Sequence, residues 1–152
     1  MVKLAVLTDT HVGSVRELPG AMLKALADAD LIVHTGDFTE MAVLEGLRSL
    51  KDVRAVRGNM DSREIQMALP RKEIFGVAGK KIGLIHGWGT PLGIAGRVRD
   101  EFHDVDVIIF GHSHTSCRER IRGALMFNPG RCRESYGLLT ISEDMSAEVV
   151  RL

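Results

Sequence analysis

Cysteine is scarce in this chain: Cys117 and Cys132 are the only two among 152 residues. Two thiols are too few for a disulfide scaffold and are not spaced as a zinc knuckle, so reduced, structural thiols are expected. Long hydrophobic runs are absent as well. The longest apolar stretches, such as Val105 to Phe110, are far too short to span a bilayer, and Met1 leads straight into strand-like sequence without a signal-peptide pattern. A cytoplasmic protein with no membrane partner is the expectation. Neither sign of charge is in excess, because twenty Lys and Arg offset twenty Asp and Glu. No long-range field therefore draws the molecule to nucleic acid, although a local basic patch stays open. Repeats, low-complexity tracts and interdomain linkers are missing, and the absence of any glycine-lysine-serine/threonine element disfavours a nucleoside triphosphatase of that type.

What is present suits a single domain over residues 1–152, with an apolar fraction of 45% and enough chain to bury its own core. Lys3 to Thr8 reads as a buried strand that breaks into a loop at Asp9, and Leu18 to Asp28 carries a helical stripe through Ala21, Met22, Ala25 and Leu26. Leu31 to His34, Met41 to Leu50 and Val53 to Val56 repeat the strand, helix, strand order, which predicts a parallel sheet wound by crossover helices. The second half changes style. Glu73 to Val77 and Lys81 to Ile85 flank Ala78-Gly79-Lys80 as a hairpin, and Pro91 to Phe102 carries another helix. After the strand Val105 to Phe110, the segments Arg118 to Arg122, Leu125 to Asn128, Tyr136 to Ser142 and Met145 to Leu152 read as a meander turning at Gly123, Pro129-Gly130 and Glu143-Asp144. The fold class is α/β with a mixed-sheet finish.

Metal-ligating side chains gather where these strands end: Asp9-Thr10-His11, Gly36-Asp37, Gly58-Asn59-Met60-Asp61, His86-Gly87 and Gly111-His112-Ser113-His114. Carboxylate and imidazole together suit first-row divalent metals, and two such ions can clamp a phosphoryl group. Alternation along an extended chain would send Asp9 and His11 to one side, so the pair could grip one ion. His112 and His114 obey the same geometry, or serve two ions if the loop turns between them. Asn59 is informative because a neutral amide oxygen is a poor ligand alone and makes sense only in a shell already crowded with anions. Glycines before Asp37, Asn59 and His112, and after His86, allow the backbone to aim these side chains.

Taken jointly and in this order, the five blocks resemble the calcineurin-like metallophosphoesterases, in particular their small stand-alone members, over essentially the whole chain. The resemblance implies a four-layer αββα sandwich with two mixed β-sheets. It implies two divalent ions per chain, drawn from manganese, nickel, iron or zinc with manganese or nickel favoured. Asp9, His11 and His114 would bind one ion and Asn59, His86 and His112 the other, with Asp37 as the bridge. Asp37, Asn59 and His86 would be the catalytic members of that set. The implied chemistry is in-line attack on a phosphoester by a metal-activated water or hydroxide, without a phosphorylated enzyme intermediate.

Two departures bear on the substrate. Many members carry a histidine directly after the ligand Asn, where it helps to protonate the leaving alkoxide, whereas this chain has Met60. Methionine donates no proton, so the expectation is a phosphodiesterase for small esters with good leaving groups, with a phosphomonoesterase or nucleotide-directed enzyme as the alternative. After Asn128-Pro129-Gly130 the family often has a serine and a longer loop; here Arg131-Cys132-Arg133 follows, read as exposed, solubilising arginines with contact to a substrate phosphate as the alternative. Asp61 is read either as a carboxylate orienting a ligand histidine, or as a solvated loop residue or a cap for a helix from residue 62 onward. His34 and His103 complete no spacing motif and are read as structural or solvent-exposed. Trp88, the only tryptophan, either walls the site and stacks on an aromatic substrate group or packs under a loop. A non-catalytic protein-binding scaffold on the same fold is the rival of another class, and an exposed apolar patch away from the ligands would favour it. A nuclease is disfavoured, since neither an appended domain nor a basic stripe appears, while short or cyclic nucleotides stay open as substrates. The sequence also leaves room for a homo-oligomer.

Overall fold

A computed structural model describes all residues, Met1–Leu152. Two five-stranded sheets face each other. The first has the order β10-β9-β1-β2-β3, built from β1 (Val2–Leu7), β2 (Leu31–His34), β3 (Val53–Ala55), β9 (Ser135–Ile141) and β10 (Met145–Arg151). The second runs β4-β5-β6-β8-β7, from β4 (Lys72–Val77), β5 (Lys80–Ile85), β6 (Val107–Ile109), β7 (Cys117–Ile121) and β8 (Ala124–Asn128). Strands β1, β2 and β3 are parallel, as are β5, β6 and β8, and antiparallel strands complete both sheets.

Side-chain alternation explains the layering. In β1, Leu4 and Val6 point into the space between the sheets, where they join Ile82, Leu84, Val107, Ile109 and Phe127 in a sealed inner core. Ala5 and Leu7 point the other way, against Met22 and Leu26 of α1 (Gly20–Asp28), Val43, Leu44 and Leu47 of α2 (Met41–Leu50) and Ile65 of α3 (Arg63–Ala68). On the far side, Ile108, Phe110 and Met126 pack against Ile94 and Val98 of α4 (Ile94–Arg99). The result is the expected four-layer αββα sandwich, and it explains why the central strands read as unbroken apolar runs: both of their faces are covered.

Three expectations are corrected. The four C-terminal strands are not one meander. Only β7 with β8 and β9 with β10 form hairpins, whereas Pro129-Gly130 carries the chain across from the second sheet to the first, where β9 lies antiparallel to β1. All four strands carry an apolar face, so the pattern alone gives no sign of which sheet each joins. The first helix begins at Gly20, because Ser14 and Glu17 form a reciprocal capping box on a short 3-10 turn, Val15–Glu17, ahead of Pro19. The helix expected over Pro91 to Phe102 is confined to Ile94–Arg99 by Gly93, whose left-handed backbone precedes it. No helix is long and apolar enough to cross a membrane.

Candidate metal centre

Every ligand-type loop leaves the carboxyl end of a parallel strand. Asp9 and His11 follow β1, Asp37 follows β2, the Gly58–Asp61 turn follows β3, His86 follows β5, and Gly111 to His114 follow β6. Two faced sheets thus deliver both sets of side chains to one edge, as open α/β sheets do.

All seven expected residues meet there. Asp9, His11 and His114 place ligand atoms within 4.8 Å of one another, and so do Asp9, Asp37 and His86. The Asp37 Oδ2 lies 3.3 Å from His86 Nε2 and 3.8 Å from His11 Nε2, so one carboxylate oxygen reaches toward both groups. On the outer side, His112 Nδ1 is 3.3 Å from Asn59 Oδ1 and 3.3 Å from His86 Nε2. His112 and His114 therefore serve different parts of the cluster. The reasoning from extended-chain alternation does not hold, because Asp9, His11, Asp37, His112 and His114 all adopt left-handed backbone, with φ between 47° and 70°. Such conformations are uncommon for residues with a Cβ and persist where surrounding structure imposes them.

Neighbouring groups settle which imidazole nitrogens face the centre. A carbonyl oxygen can only accept, so His86 donates Nδ1–H to Thr35 O at 2.8 Å and turns Nε2 inward. His112 donates Nε2–H to Gly89 O at 3.0 Å and turns Nδ1 inward. The loop bearing Gly89 is itself fastened by Arg97 of α4, which donates to the carbonyls of Trp88, Thr90 and Leu92. Asn128, fully buried, donates to Gly111 O and Ser113 Oγ and accepts from Gly130 N–H, which braces the His112 to His114 turn from behind. Asn128 and Arg97 went unnoticed in the sequence because neither bears a ligand-type group near a motif.

Asp61 neither orients a histidine nor caps a helix; Ser62 caps α3. Its carboxylate instead accepts the backbone N–H groups of Asp37, Gly58 and Thr39 at 3.0, 2.7 and 2.8 Å, stapling the Asp37 loop to the Asn59 loop. The two loops approach so closely that Gly58 has no room for a Cβ, which would meet Asp37 N at 2.5 Å and the Asp37 carboxylate as well. Gly58→Ala is accordingly expected to cost about 1–3 kcal/mol of stability through overpacking and to weaken metal binding by displacing Asp37. Thermal unfolding and metal titration of the variant check both effects.

His34 is structural and His103 solvent-exposed, as expected. His34 is fully buried, stacks on Phe38 at 3.6 Å, accepts from Gly36 N–H and is hydrogen-bonded to Thr10; burial pushes its pKa down to about 3. His103 is exposed. Arg131 is paired with Glu134 and does not join the cluster. Burial raises the thiols of Cys117 and Cys132 to about 11 and about 12, which leaves both protonated.

Two side-chain atoms show that these residues fit a cation. Asp9 Oδ1 and His11 Nε2 are buried without any hydrogen-bond partner. A carboxylate oxygen and an imidazole nitrogen so placed are costly when unpaired and are satisfied by a shared metal ion. The protonation states agree. Burial lifts the Asp9 carboxyl to about 6, reinforced by the Asp37 charge and opposed by His86. Burial alone would also lift Asp37 and depress His86, but their mutual hydrogen bond and charge reverse both, so Asp37 is lowered and His86 raised. Without a cation, the centre therefore favours the protonated forms of Asp9 and His86 more than water does.

A stability prediction follows. The Asp9 pKa is higher in the folded chain than in the unfolded one, so its contribution is present below about pH 4 and is lost as pH rises through about 6. The raised His86 acts in the same direction, its contribution being lost as pH rises above its ordinary range. Asp37 acts oppositely, but only below the ordinary carboxylate range. His34 also acts oppositely below its ordinary range, because its lowered pKa withholds stability there. Chelator-treated protein is therefore expected to lose melting temperature above about pH 7, where His86 alone is still losing its contribution. Added divalent metal should abolish the decline, and scanning calorimetry with and without metal checks it.

A two-sheet sandwich with carboxylates and imidazoles gathered at the carboxyl edge of both sheets defines a metallophosphoesterase. The chain belongs to the calcineurin-like phosphoesterase superfamily, whose domain matches residues 2–144. It is 37% identical to a probable metallophosphoesterase of Methanocaldococcus jannaschii, over 97% of this chain and 80% of that one. Among solved structures it superposes on a Thermotoga maritima protein determined by NMR in solution, with 29% identity, a TM-score of 0.81 and all of both chains covered. It also matches Vps29 of Entamoeba histolytica complexed with zinc, at 25% identity and a TM-score of 0.74 over 98% of each chain.

Proposed function

We propose that the chain is a binuclear phosphodiesterase that hydrolyses small phosphodiesters with good leaving groups. The observation carrying this reading is the convergence of two carboxylates, four imidazoles and one amide on a centre where Asp9 Oδ1 and His11 Nε2 lack any other partner. Asp9, His11 and His114 would hold one ion, Asn59, His86 and His112 the other, and Asp37 would reach both. That Vps29 of Entamoeba histolytica, similar in fold, was determined complexed with zinc supports a metal-binding reading of this chain. When bound, two such ions supply Lewis acidity that activates water and offsets charge on the phosphoryl oxygens.

The protein's own groups do the rest. Thr35 and Gly89 carbonyls hold the His86 and His112 tautomers, which keeps the inward nitrogens free of protons once the cation is present. Asp37, held below the ordinary carboxylate range, stays ionised at neutral pH. Asn59 and Met60 are exposed and His114 is 44% exposed, so an ester enters from this side without a lid. Met60 occupies the position from which a histidine would protonate a leaving alkoxide, and it offers only its backbone N–H, already given to Asp37 Oδ1 at 2.8 Å. Expulsion of the leaving group then depends on that group's own acidity, which favours diesters of acidic alcohols. Of the exposed apolar residues, Met60, Trp88 and Leu92 lie on the site's own loops, where they suit substrate contact, whereas Leu50, Met67 and Ile74 are exposed elsewhere.

The test is hydrolysis of an aryl phosphodiester and the matching phosphomonoester by metal-stripped protein, with manganese, nickel or zinc restored. Diester turnover returning with metal, and exceeding monoester turnover, is the expected result. Two ions bound with no turnover of either ester would overturn the reading.

A further inference from the structure

Beside the ligand cluster, and sharing Asn59 and His86 with it, lies a pocket of about 290 Å³ whose other polar walls are Arg57, Gln66, Arg71 and Trp88. The space is thus contiguous with the position where a phosphorus centre would sit, and is large enough to receive one of its two ester arms. The size lies near the lower end for small-molecule sites, enough for one ring system and a sugar but not for a polymer.

The walls define what that arm looks like. The Arg71 guanidinium lies over the Trp88 ring, 5.3 Å from its centroid, while its charge is taken up by Glu101 at 2.6 Å. This pair is a flat, nearly neutral surface and not a free cation awaiting a second phosphate. Trp88 is held from the other end, since Arg97 donates to its carbonyl from Nη2 at 2.8 Å. Arg57 spends one N–H on Leu69 O and keeps its other donors. Gln66 donates Nε2–H to Asp61 O, which leaves its Oε1 as an acceptor. One aromatic plate, one set of donors and one acceptor match a planar heterocycle with donor and acceptor edges. A plain alkyl arm would pair with neither Arg57 nor Gln66, which are half-buried and exposed respectively and would keep their hydrogen bonds to solvent.

We infer that this pocket is a subsite for the arm retained by the phosphorus, and that the arm it takes is a nucleoside. The inference rests on the phosphodiesterase reading of the neighbouring centre. In the reaction, water adds to phosphorus as the bond to the other ester oxygen breaks; the departing alcohol takes one proton, and a nucleoside monophosphate is left.

Trp88 is the only tryptophan, so its fluorescence reports on this pocket alone. Thymidine 5′-monophosphate should quench it in metal-free protein, whereas methyl phosphate should not, and this readout does not depend on turnover. With metal present, thymidine 5′-(4-nitrophenyl phosphate) should be preferred over methyl 4-nitrophenyl phosphate by about tenfold in kcat/KM, the worth of one stacked base. The gain should lie mainly in KM. Trp88→Ala and Gln66→Leu should each lower that preference. Equal kcat/KM for the two diesters together with unquenched fluorescence would overturn the subsite and leave the phosphodiesterase reading intact. Absence of turnover with both diesters would count against the phosphodiesterase reading, and the fluorescence titration would still decide for or against the subsite.

Discussion

Asp37→Ala is expected to reduce metal-dependent phosphodiester hydrolysis to the level of the metal-stripped protein. Asp9 Oδ1 also lies between the two ligand groups, 3.9 Å from His86 Nε2 and 3.7 Å from His114 Nε2, but only Asp37 in addition holds the turn that presents Asn59. The Asp37 Oδ2 stands 3.3 Å from His86 Nε2 and 3.8 Å from His11 Nε2, so it faces both proposed ion positions at once. Its Oδ1 accepts the Met60 N–H and thereby fixes the turn that presents Asn59. Alanine removes the shared negative charge and the anchor of that turn together. Residues that only orient a ligand usually cost 10- to 100-fold in metal affinity or activity when altered; a shared ligand should cost about a hundredfold or more. Asp37→Asn keeps the shape and one acceptor but not the charge, so it separates the electrostatic loss from the loss of loop geometry. Metal stoichiometry and turnover, measured on both variants with circular dichroism to verify folding, check the expectation. Full turnover in a folded Asp37→Ala protein would sink the bridging assignment.

The layers of the fold were legible because two-sided burial writes itself into sequence as continuous apolar strands, and one-sided helices as stripes. Leu31 to His34 and Met41 to Leu50 were bounded as they are seen because each ends at a polar or glycine-containing turn. Sheet membership of the C-terminal strands was not legible. Residues such as Leu139 and Ile141 look alike whether they cover β1 or continue from β8, and only long-range pairing decides. The candidate ligands were legible because their chemistry is local to each motif, and all seven side chains converge. Their backbone was not, since five of them sit in left-handed conformations, which Asp and His adopt more often than most residues but still too rarely to be assigned from sequence. The supporting groups were hidden for a related reason. Asp61, Asn128 and Arg97 act through main-chain atoms of other loops, and contacts of that kind leave no spacing pattern. The Arg57, Gln66 and Arg71 wall depends on α3, a six-residue helix too short to show periodicity.

Met60→His should restore what the leaving group otherwise has to supply. The position is held by its main chain, because the residue 60 N–H is bound to Asp37 Oδ1 whatever the side chain, and the Met60 side chain is 59% exposed with room to change. An imidazole there can give a proton to a departing alkoxide, an assistance worth about a hundredfold or more when that alkoxide is strongly basic. Esters of acidic phenols gain little, since they leave well unaided. The measurable consequence is therefore a change in slope: across aryl and alkyl diesters of rising leaving-group pKa, kcat/KM should fall steeply in the parent protein and more gently in Met60→His. Phosphomonoester turnover should appear in the variant for the same reason, and its rate should decline at high pH as the imidazole loses the proton it donates. An unchanged slope in a folded, metal-loaded Met60→His protein would show that the diester preference does not come from a missing proton donor, and would transfer the explanation to the pocket beside Asn59 and His86.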